Sequence, residues 1–206
     1  MLKPKKNFVI TGFFAFYIDW IIKRHFYKVE YNTPKFNKEQ SILLIANHFS
    51  WWDGFLLYYV NKLVFKKRFH VMVLEESMRK MGFLKYLGSF SVVKNSRQVL
   101  ESLDYAAGLL GDPNNIVVIF PQGKLYSNFV DTLSFEKGIL HIAAKAKANF
   151  QYIFAANFTE NFEHKKPTAH IYLKALNVDE IKPDEIKEQY MRHYQTAKQQ
   201  QTSIIV

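Results

Sequence analysis

Residues 41–53, SILLIANHFSWWD, decide the fold. Their first six residues, Ser41–Ala46, form a short, continuous apolar run, and its length and β-branched content predict a buried strand. A helix is predicted from Trp52 to Phe65. The polar pair Asn47-His48 is therefore expected at the carboxyl end of a buried strand, just before a helix.

Strands and helices are predicted to alternate along most of the chain. After an N-terminal helix, the other strands are expected at 26–31, 70–74, 89–93, 116–120, 152–156 and 169–173, and the other helical segments at 75–87, 96–110, 138–147 and 179–201. This order predicts an α/β layered fold with a mostly parallel mixed sheet flanked by helices. Ligands bind beyond the carboxyl ends of the strands in such sheets. His48 and Pro121-Gln122-Gly123, which each follow a strand, are therefore expected at one edge.

The composition is that of one folded domain with a basic surface. The chain has 206 residues, of which 49% are hydrophobic, so it can bury a sizeable core. Lys and Arg number 28 against 18 Asp and Glu, a formal net charge of +10. Such a surface attracts nucleic acid, anionic lipid headgroups or phosphorylated substrates. The absence of cysteine excludes disulfides, cysteine metal sites and a cysteine nucleophile.

The segment 1–25 is predicted to be a helix that lies in a membrane interface. Its apolar run, Phe8 to Ile22, is shorter than the roughly 20 residues of a bilayer span, and no small-residue cleavage site follows it. Aromatic residues would enter the headgroup region and basic residues would meet the phosphates: Phe13, Phe14, Phe16, Tyr17 and Trp20, with Lys3, Lys5, Lys6, Lys23 and Arg24. The alternative is an aromatic helix packed on the domain. A catalytic domain, 26–178, and a C-terminal polar helix and tail, 179–206, complete the expected organisation.

His48 and Asp53 have the spacing of a catalytic dyad. With His48 just before a helix and Asp53 in its first turn, the carboxylate can reach back to one imidazole nitrogen. That contact fixes the tautomer and makes the other nitrogen a general base. The alternative is a histidine at a helix start packed by Trp51 and Trp52, with Asp53 an ordinary first-turn acid.

Other catalytic patterns are absent from the sequence. It contains neither G-x-G-x-x-G nor G-x-x-x-x-G-K-[ST], which disfavours a nucleotide-binding fold, and no G-x-S-x-G, which disfavours an α/β-hydrolase. His48, His70 and His141 do not have metal-ligand spacing, so no metal is expected.

Four short segments together resemble the glycerolipid acyltransferases, the lysophosphatidate acyltransferase family. Asn47 to Asp53 resembles the N-H-x-x-x-x-D signature, and Phe120-Pro121-Gln122-Gly123-Lys124 resembles the F-P-E-G-T-R block. Gly88 to Lys94, GSFSVVK, looks like a diverged G-x-x-x-I-D-R block between them, and Phe135 to Gly138 is similar to the F-x-x-G that follows. Order and spacing match across roughly 41–158.

The resemblance implies acyl transfer from an acyl thioester, acyl-CoA or acyl carrier protein, to a hydroxyl of a lipid acceptor. His48 would be the general base and Asp53 would orient it. No cofactor or metal is implied beyond the thioester co-substrate. The same resemblance implies a substrate-binding set: Asn47, Lys94, Arg97, Phe120, Pro121, Gln122, Gly123 and Lys124.

The acceptor-binding blocks depart from the family pattern. Gln122 stands where the family has Glu, Lys124 where it has Thr, and Leu125 where it has Arg. Val93 and Lys94 replace the Asp and Arg of the second block. The acceptor therefore stays open among a lysophosphatidate, another lysophospholipid, a lyso-aminolipid, and a hydroxylated pigment or glycolipid precursor.

The expected partners are membrane lipids and an acyl thioester, with acyl carrier protein as a further candidate. The protein is expected at the cytoplasmic face of the membrane, peripheral or monotopic. A lipid- or thioester-binding protein with little catalysis is the main alternative. Nucleic acid is not expected as a partner, because the cations are scattered.

Overall fold

A seven-stranded sheet forms the centre of the protein in a computed structural model that describes residues 1–93, 98–146, 149–178 and 181–206. The strands are β1 Lys28–Tyr31, β2 Ser41–Ala46, β3 Arg68–Leu74, β4 Ser89–Val92, β5 Asn115–Ile119, β6 Phe150–Glu160 and β7 Thr168–Asn177. Their order is β1-β7-β6-β2-β5-β3-β4. Only β6 and β7 pair antiparallel. The predicted α/β class with a mostly parallel mixed sheet is confirmed.

Helices flank the sheet and connect most of its strands. They are α1 Phe8–His25, α2 Asp53–Val60, α3 Glu75–Lys80, α4 Gln98–Leu109, α5 Gly138–Lys145 and α6 Ile186–Thr202. A π-helical turn, Asn61–Phe65, extends α2, and 3-10 turns lie at Gly82–Leu87 and Pro183–Glu185. The predicted start of the fourth helix, at 96, lies outside the described residues. The predicted start of the last helix, 179, lies outside the described residues, and α6 begins at Ile186, after Pro183. Proline is tolerated only in the first turn of a helix.

The central strand β2 sends alternate side chains into two apolar layers. Ile42 and Leu44 join the layer that α1 and α2 cover. Leu43 and Ile45 join the layer that α4, α5 and α6 cover. Every residue of β2 is buried, as expected for a strand with helices on both faces of the sheet. This burial fixes where the strand ends and therefore where Asn47-His48 lies.

The β6–β7 hairpin is longer than predicted. Its register runs from Gln151 opposite Asn177 to Glu160 opposite Thr168. The expected ends at 156 and 173 are wrong, and in β6 the polar residue that follows residue 156 does not end the strand. That residue, Asn157, is buried and stays in the strand, with its backbone bonded to the Asn47 side chain.

Gly88 makes the turn into β4. Its φ of +86° is unfavourable for other residues. A Cβ at this position would lie 1.8 Å from the carbonyl oxygen of Phe69. The close approach of the backbone therefore requires glycine.

α1 has two apolar faces. Its inner face buries Ile18, Ile21 and Ile22. Phe14, predicted to face headgroups, is half-buried instead and stacks on Phe83 with 4.7 Å between the ring centroids. The opposite face exposes a stripe of large apolar side chains: Val9, Phe13, Phe16 and Trp20. In the part of the chain that the structure describes, no helix has both the length and the apolar character of a membrane span.

Candidate active site

His48 and Asp53 meet at the junction of β2 and α2. Nδ1 of His48 lies 2.9 Å from Oδ2 of Asp53. The same oxygen accepts the backbone N–H groups of Phe49 at 2.7 Å and Ser50 at 2.8 Å. The Asp53 side chain is 3% exposed and that of His48 is 27% exposed. One buried carboxylate oxygen therefore organises both the turn and the histidine ring.

The contact between these two side chains sets the chemistry of the imidazole. An ionised carboxylate only accepts hydrogen bonds, so the neutral ring donates from Nδ1 and keeps its lone pair on Nε2. The ring is partly exposed, so Nε2 can meet a substrate. This is the arrangement of a general base held by an acid, and Asp53 can stabilise the imidazolium that forms.

The segment after β5 forms the second wall of the site. Ile45 of β2 pairs with Ile119 of β5, so the residues that follow these strands are neighbours. The Phe120 ring stacks on the His48 ring, with 4.3 Å between centroids and 23° between planes. Oε1 of Gln122 accepts the His48 backbone N–H at 2.6 Å. The two segments predicted to converge are therefore in direct contact.

Gln122 presents a buried donor beside His48. The His48 N–H can only donate, so it fixes Oε1 toward His48 and turns Nε2 away from it. Nε2 is buried, and among the described residues it has no hydrogen-bond partner. A buried donor without a partner costs about 1–3 kcal/mol. The glutamine amide is thus an oriented polar group next to His48.

Gly123 and Pro121 shape the turn that carries Gln122. Gly123 has a φ of +62°, a conformation that favours glycine, and its N–H donates to Phe120 at 3.2 Å. The Pro121 carbonyl accepts the N–H of Glu136 at 2.8 Å, which closes the loop that follows. Both residues determine the path of the backbone in this turn, and neither has a reactive side chain.

Asn47 joins the end of β2 to β6. Its amide nitrogen donates to the Asn157 carbonyl at 2.9 Å, and its amide oxygen accepts the Asn157 N–H at 2.7 Å. The residue is fully buried. The described contacts of Asn47 are therefore to the protein backbone.

The predicted cations are placed only in part. Lys124 is exposed, with Nζ 5.4 Å from the centroid of the Tyr126 ring. Lys94 and Arg97 lie outside the described residues. Within the ranges that the structure describes, no group of three or more His, Asp or Glu side chains could hold a metal ion.

Sequence reasoning missed several residues that surround the dyad. The Tyr126 N–H donates to the His48 carbonyl at 3.0 Å. From α6, Tyr190 and Tyr194 are fully buried, and Tyr194 packs edge-on to Phe49 with 6.2 Å between centroids. The four-residue spacing of Ile186, Tyr190 and Tyr194 is the signal that could have marked a buried face on this otherwise polar helix.

A family model described as Acyltransferase matches residues 28–156. The match covers more than half of the chain and includes both segments that meet at His48. No curated protein matches the chain significantly in sequence. The chain therefore belongs to the acyltransferase family, the glycerolipid acyltransferases that include the lysophosphatidate acyltransferases, and this membership supports acyl transfer as its general activity.

Proposed function

We propose that the protein transfers a fatty acyl group from an acyl thioester, acyl-CoA or acyl carrier protein, to a hydroxyl group of a lysophospholipid or related lipid. The observation that carries the proposal is the His48–Asp53 pair, with Nδ1 and Oδ2 2.9 Å apart and the ring partly exposed. Family membership supports the acyl-transfer chemistry.

The reaction follows from the lone pair on Nε2. His48 takes the proton of the acceptor hydroxyl as its oxygen attacks the thioester carbonyl. A C–O bond forms and gives a tetrahedral oxyanion. Its collapse breaks the C–S bond and expels a thiolate, which takes the proton from the His48 imidazolium. No covalent enzyme intermediate is needed, in agreement with a chain that lacks cysteine.

Asp53 and Phe120 hold the base for this step. Asp53 keeps the proton on Nδ1 and lies against the ring as it becomes positive. Phe120 covers one face of the imidazole with its own ring. With Gln122 and Tyr126 bonded to the His48 backbone, the histidine is held on several sides.

The acceptor class is proposed from the residues near this centre. Lys124 is an exposed cation close to the Gln122 turn and can approach a phosphate-bearing acceptor. Lys94 and Arg97 are proposed for the same task on the resemblance alone. A 1-acylglycerol-3-phosphate is one candidate acceptor, and the replacement of the family's Glu by Gln122 makes other lysolipids equal candidates.

The outer stripe of α1 supports a place at the cytoplasmic surface of the membrane. Phe13, Phe16 and Trp20 point away from the buried Ile18 and remain exposed. The Arg24 guanidinium lies 5.5 Å from the Trp20 ring centroid, so a cation flanks the stripe. Aromatic side chains with neighbouring basic groups suit an interface with anionic lipids. We propose that α1 lies on the bilayer and does not cross it.

The test measures thiol release from acyl thioesters with a panel of lysolipid acceptors. His48→Ala should abolish release. His141→Ala is the matched control, because His141 also pairs with an aspartate, Asp104, at 2.7 Å on the surface. Turnover in His48→Ala equal to the wild type would refute the general-base role.

A binding protein with little catalysis remains the second candidate, because Gln122 replaces the acidic residue of the family block. It predicts a wild type that binds acyl thioester or lysolipid without turnover. It also predicts that His48→Ala binds these ligands as the wild type does. Thiol release by the wild type would exclude it.

A further inference from the structure

Residues 121–137 form a loop without helix or strand that leads away from the candidate active site. Bonds to His48 hold its start, through Gln122 and the N–H of Tyr126. The Glu136 N–H, bonded to the Pro121 carbonyl, closes it. Such a loop lacks the regular backbone hydrogen bonds of a helix or a strand, so its path depends on hydrogen-bond partners elsewhere in the chain.

α6 supplies these partners at the middle of the loop. The Tyr194 hydroxyl donates to the Val130 carbonyl at 2.8 Å. Nζ of Lys198 donates to the same carbonyl at 3.0 Å and to that of Phe129 at 3.1 Å. It also bonds the Asp131 carboxylate at 2.7 Å. Two side chains one helical turn apart therefore hold one stretch of loop backbone.

The same face of α6 reaches the segment that carries His48. The Tyr190 hydroxyl donates to the Ala155 carbonyl at 2.9 Å, and Ala155 pairs with Ala46, the residue before Asn47. Burial raises the pKa of the Tyr190 phenol well above its ordinary value, and Tyr194 and Asp53 raise it further. Tyr190 therefore bonds the strand next to β2, beside the end of β2 that leads to Asn47 and His48.

We infer that Tyr190, Tyr194 and Lys198 are positioning residues of the acyl-transfer site. They hold the 121–137 loop and the end of β2 in fixed positions relative to each other. In this way they place Gln122, at the start of the loop, and His48, after β2, for turnover. α6 lies outside the residues 28–156 that match the family, so the match assigns these side chains no role. The inference rests on the proposed function, because it assigns the three residues to turnover by His48.

The competing explanation is that α6 only adds stability to the fold. Tyr172 offers a matched control, because its hydroxyl donates to Oε1 of Gln201 at 3.1 Å. That bond also joins α6 to the sheet, and it does not involve the 121–137 loop. Tyr172→Phe therefore removes one hydroxyl bond of α6 without releasing the loop.

The first measurement is turnover of the full chain with a short-chain, water-soluble acyl thioester and a lysolipid, well below the unfolding temperature of each variant. Tyr190→Phe, Tyr194→Phe and Lys198→Met should each lower kcat by about threefold to tenfold, the scale of one net hydrogen bond. Lys198→Arg should recover most of kcat, and Tyr172→Phe should leave it unchanged. Equal losses in Tyr172→Phe and Tyr194→Phe would overturn the inference.

The second measurement is amide hydrogen exchange of the 121–137 peptides, followed by mass spectrometry. Tyr194→Phe and Lys198→Met should speed exchange in these peptides, and Tyr172→Phe should not. Unchanged exchange, or faster exchange with wild-type kcat, would overturn the inference. If the wild type releases no thiol, the proposed function fails, and the exchange data still decide whether α6 holds the loop.

Discussion

Asp53→Asn separates the charge of Asp53 from its structural role. In the protein, Oδ2 accepts two backbone N–H groups and contacts Nδ1 of His48. An asparagine oxygen at the same place can still accept these bonds, so the turn should be kept. The variant loses the negative charge that stabilises the imidazolium when His48 takes a proton.

The expected loss follows from the distance between the two groups. Two unit charges about 4 Å apart attract by about 4 kcal/mol at an effective dielectric constant of about 20. Both charges are delocalised and the His48 side chain is 27% exposed. We therefore expect the variant to lose about 3 kcal/mol of imidazolium stabilisation. At 1.36 kcal/mol for each factor of ten, kcat should fall about 10²-fold.

The assay is thiol release at saturating thioester across a range of pH, with thermal unfolding measured on the same samples. Asp104→Asn is the matched control, since it neutralises the aspartate that faces His141, and it should keep wild-type kcat. If folded Asp53→Asn keeps kcat within about threefold of the wild type, the charge does not assist His48 and the reasoning is refuted.

Three further predictions concern the surface and the fold. Replacing Phe13, Phe16 and Trp20 together by serine should abolish co-sedimentation with anionic vesicles without unfolding the chain, because all three are exposed; wild-type binding by this variant would contradict the membrane proposal. Gly88→Ala should lower the free energy of unfolding by at least about 2 kcal/mol in a urea titration, because its Cβ would lie 1.8 Å from a carbonyl oxygen. Gly82→Ala is the control: its Cβ would meet no atom within 4 Å, so the free energy of unfolding should not fall by this amount. Burial lowers the pKa of His193 to about 4 from 6.5, so the unfolded chain binds a proton that the folded chain excludes. Stability should therefore fall as pH drops from about 6.5 toward 4, and His193→Phe should flatten that dependence.

The part of the site that could be predicted depends on short-range spacing and strand ends. His48 and Asp53 are five residues apart at a strand–helix junction, so a local turn is enough to join them. Gln122 is distant in sequence, but it follows β5, which pairs with β2. The rule that parallel strands present their carboxyl ends at one edge was sufficient to bring the two segments together.

The rest of the site depends on bonds that leave no periodic signal. The strand β6 is predicted to end at 156, yet it continues through Asn157, whose backbone is bonded by the Asn47 side chain. The bonds from Tyr194 and Lys198 go to backbone carbonyls, which every residue has. A bond to a backbone carbonyl does not require any particular residue type in the loop. The sequence therefore does not show that α6 is a neighbour of the site, and the folded structure does.

The proposed site has two parts, the His48–Asp53 centre and the 121–137 loop that α6 holds. The proposed function assigns proton transfer to side chains within residues 48–53, supported by the segment after β5, all inside the region that matches the family. The arrangement of the 121–137 loop depends on α6, which lies beyond that region. Variants of α6 should therefore change how well the loop and His48 are aligned, and variants of Asp53 should change the proton-transfer step itself. Amide hydrogen exchange of the 121–137 peptides distinguishes the two, because only the α6 variants remove bonds to that loop.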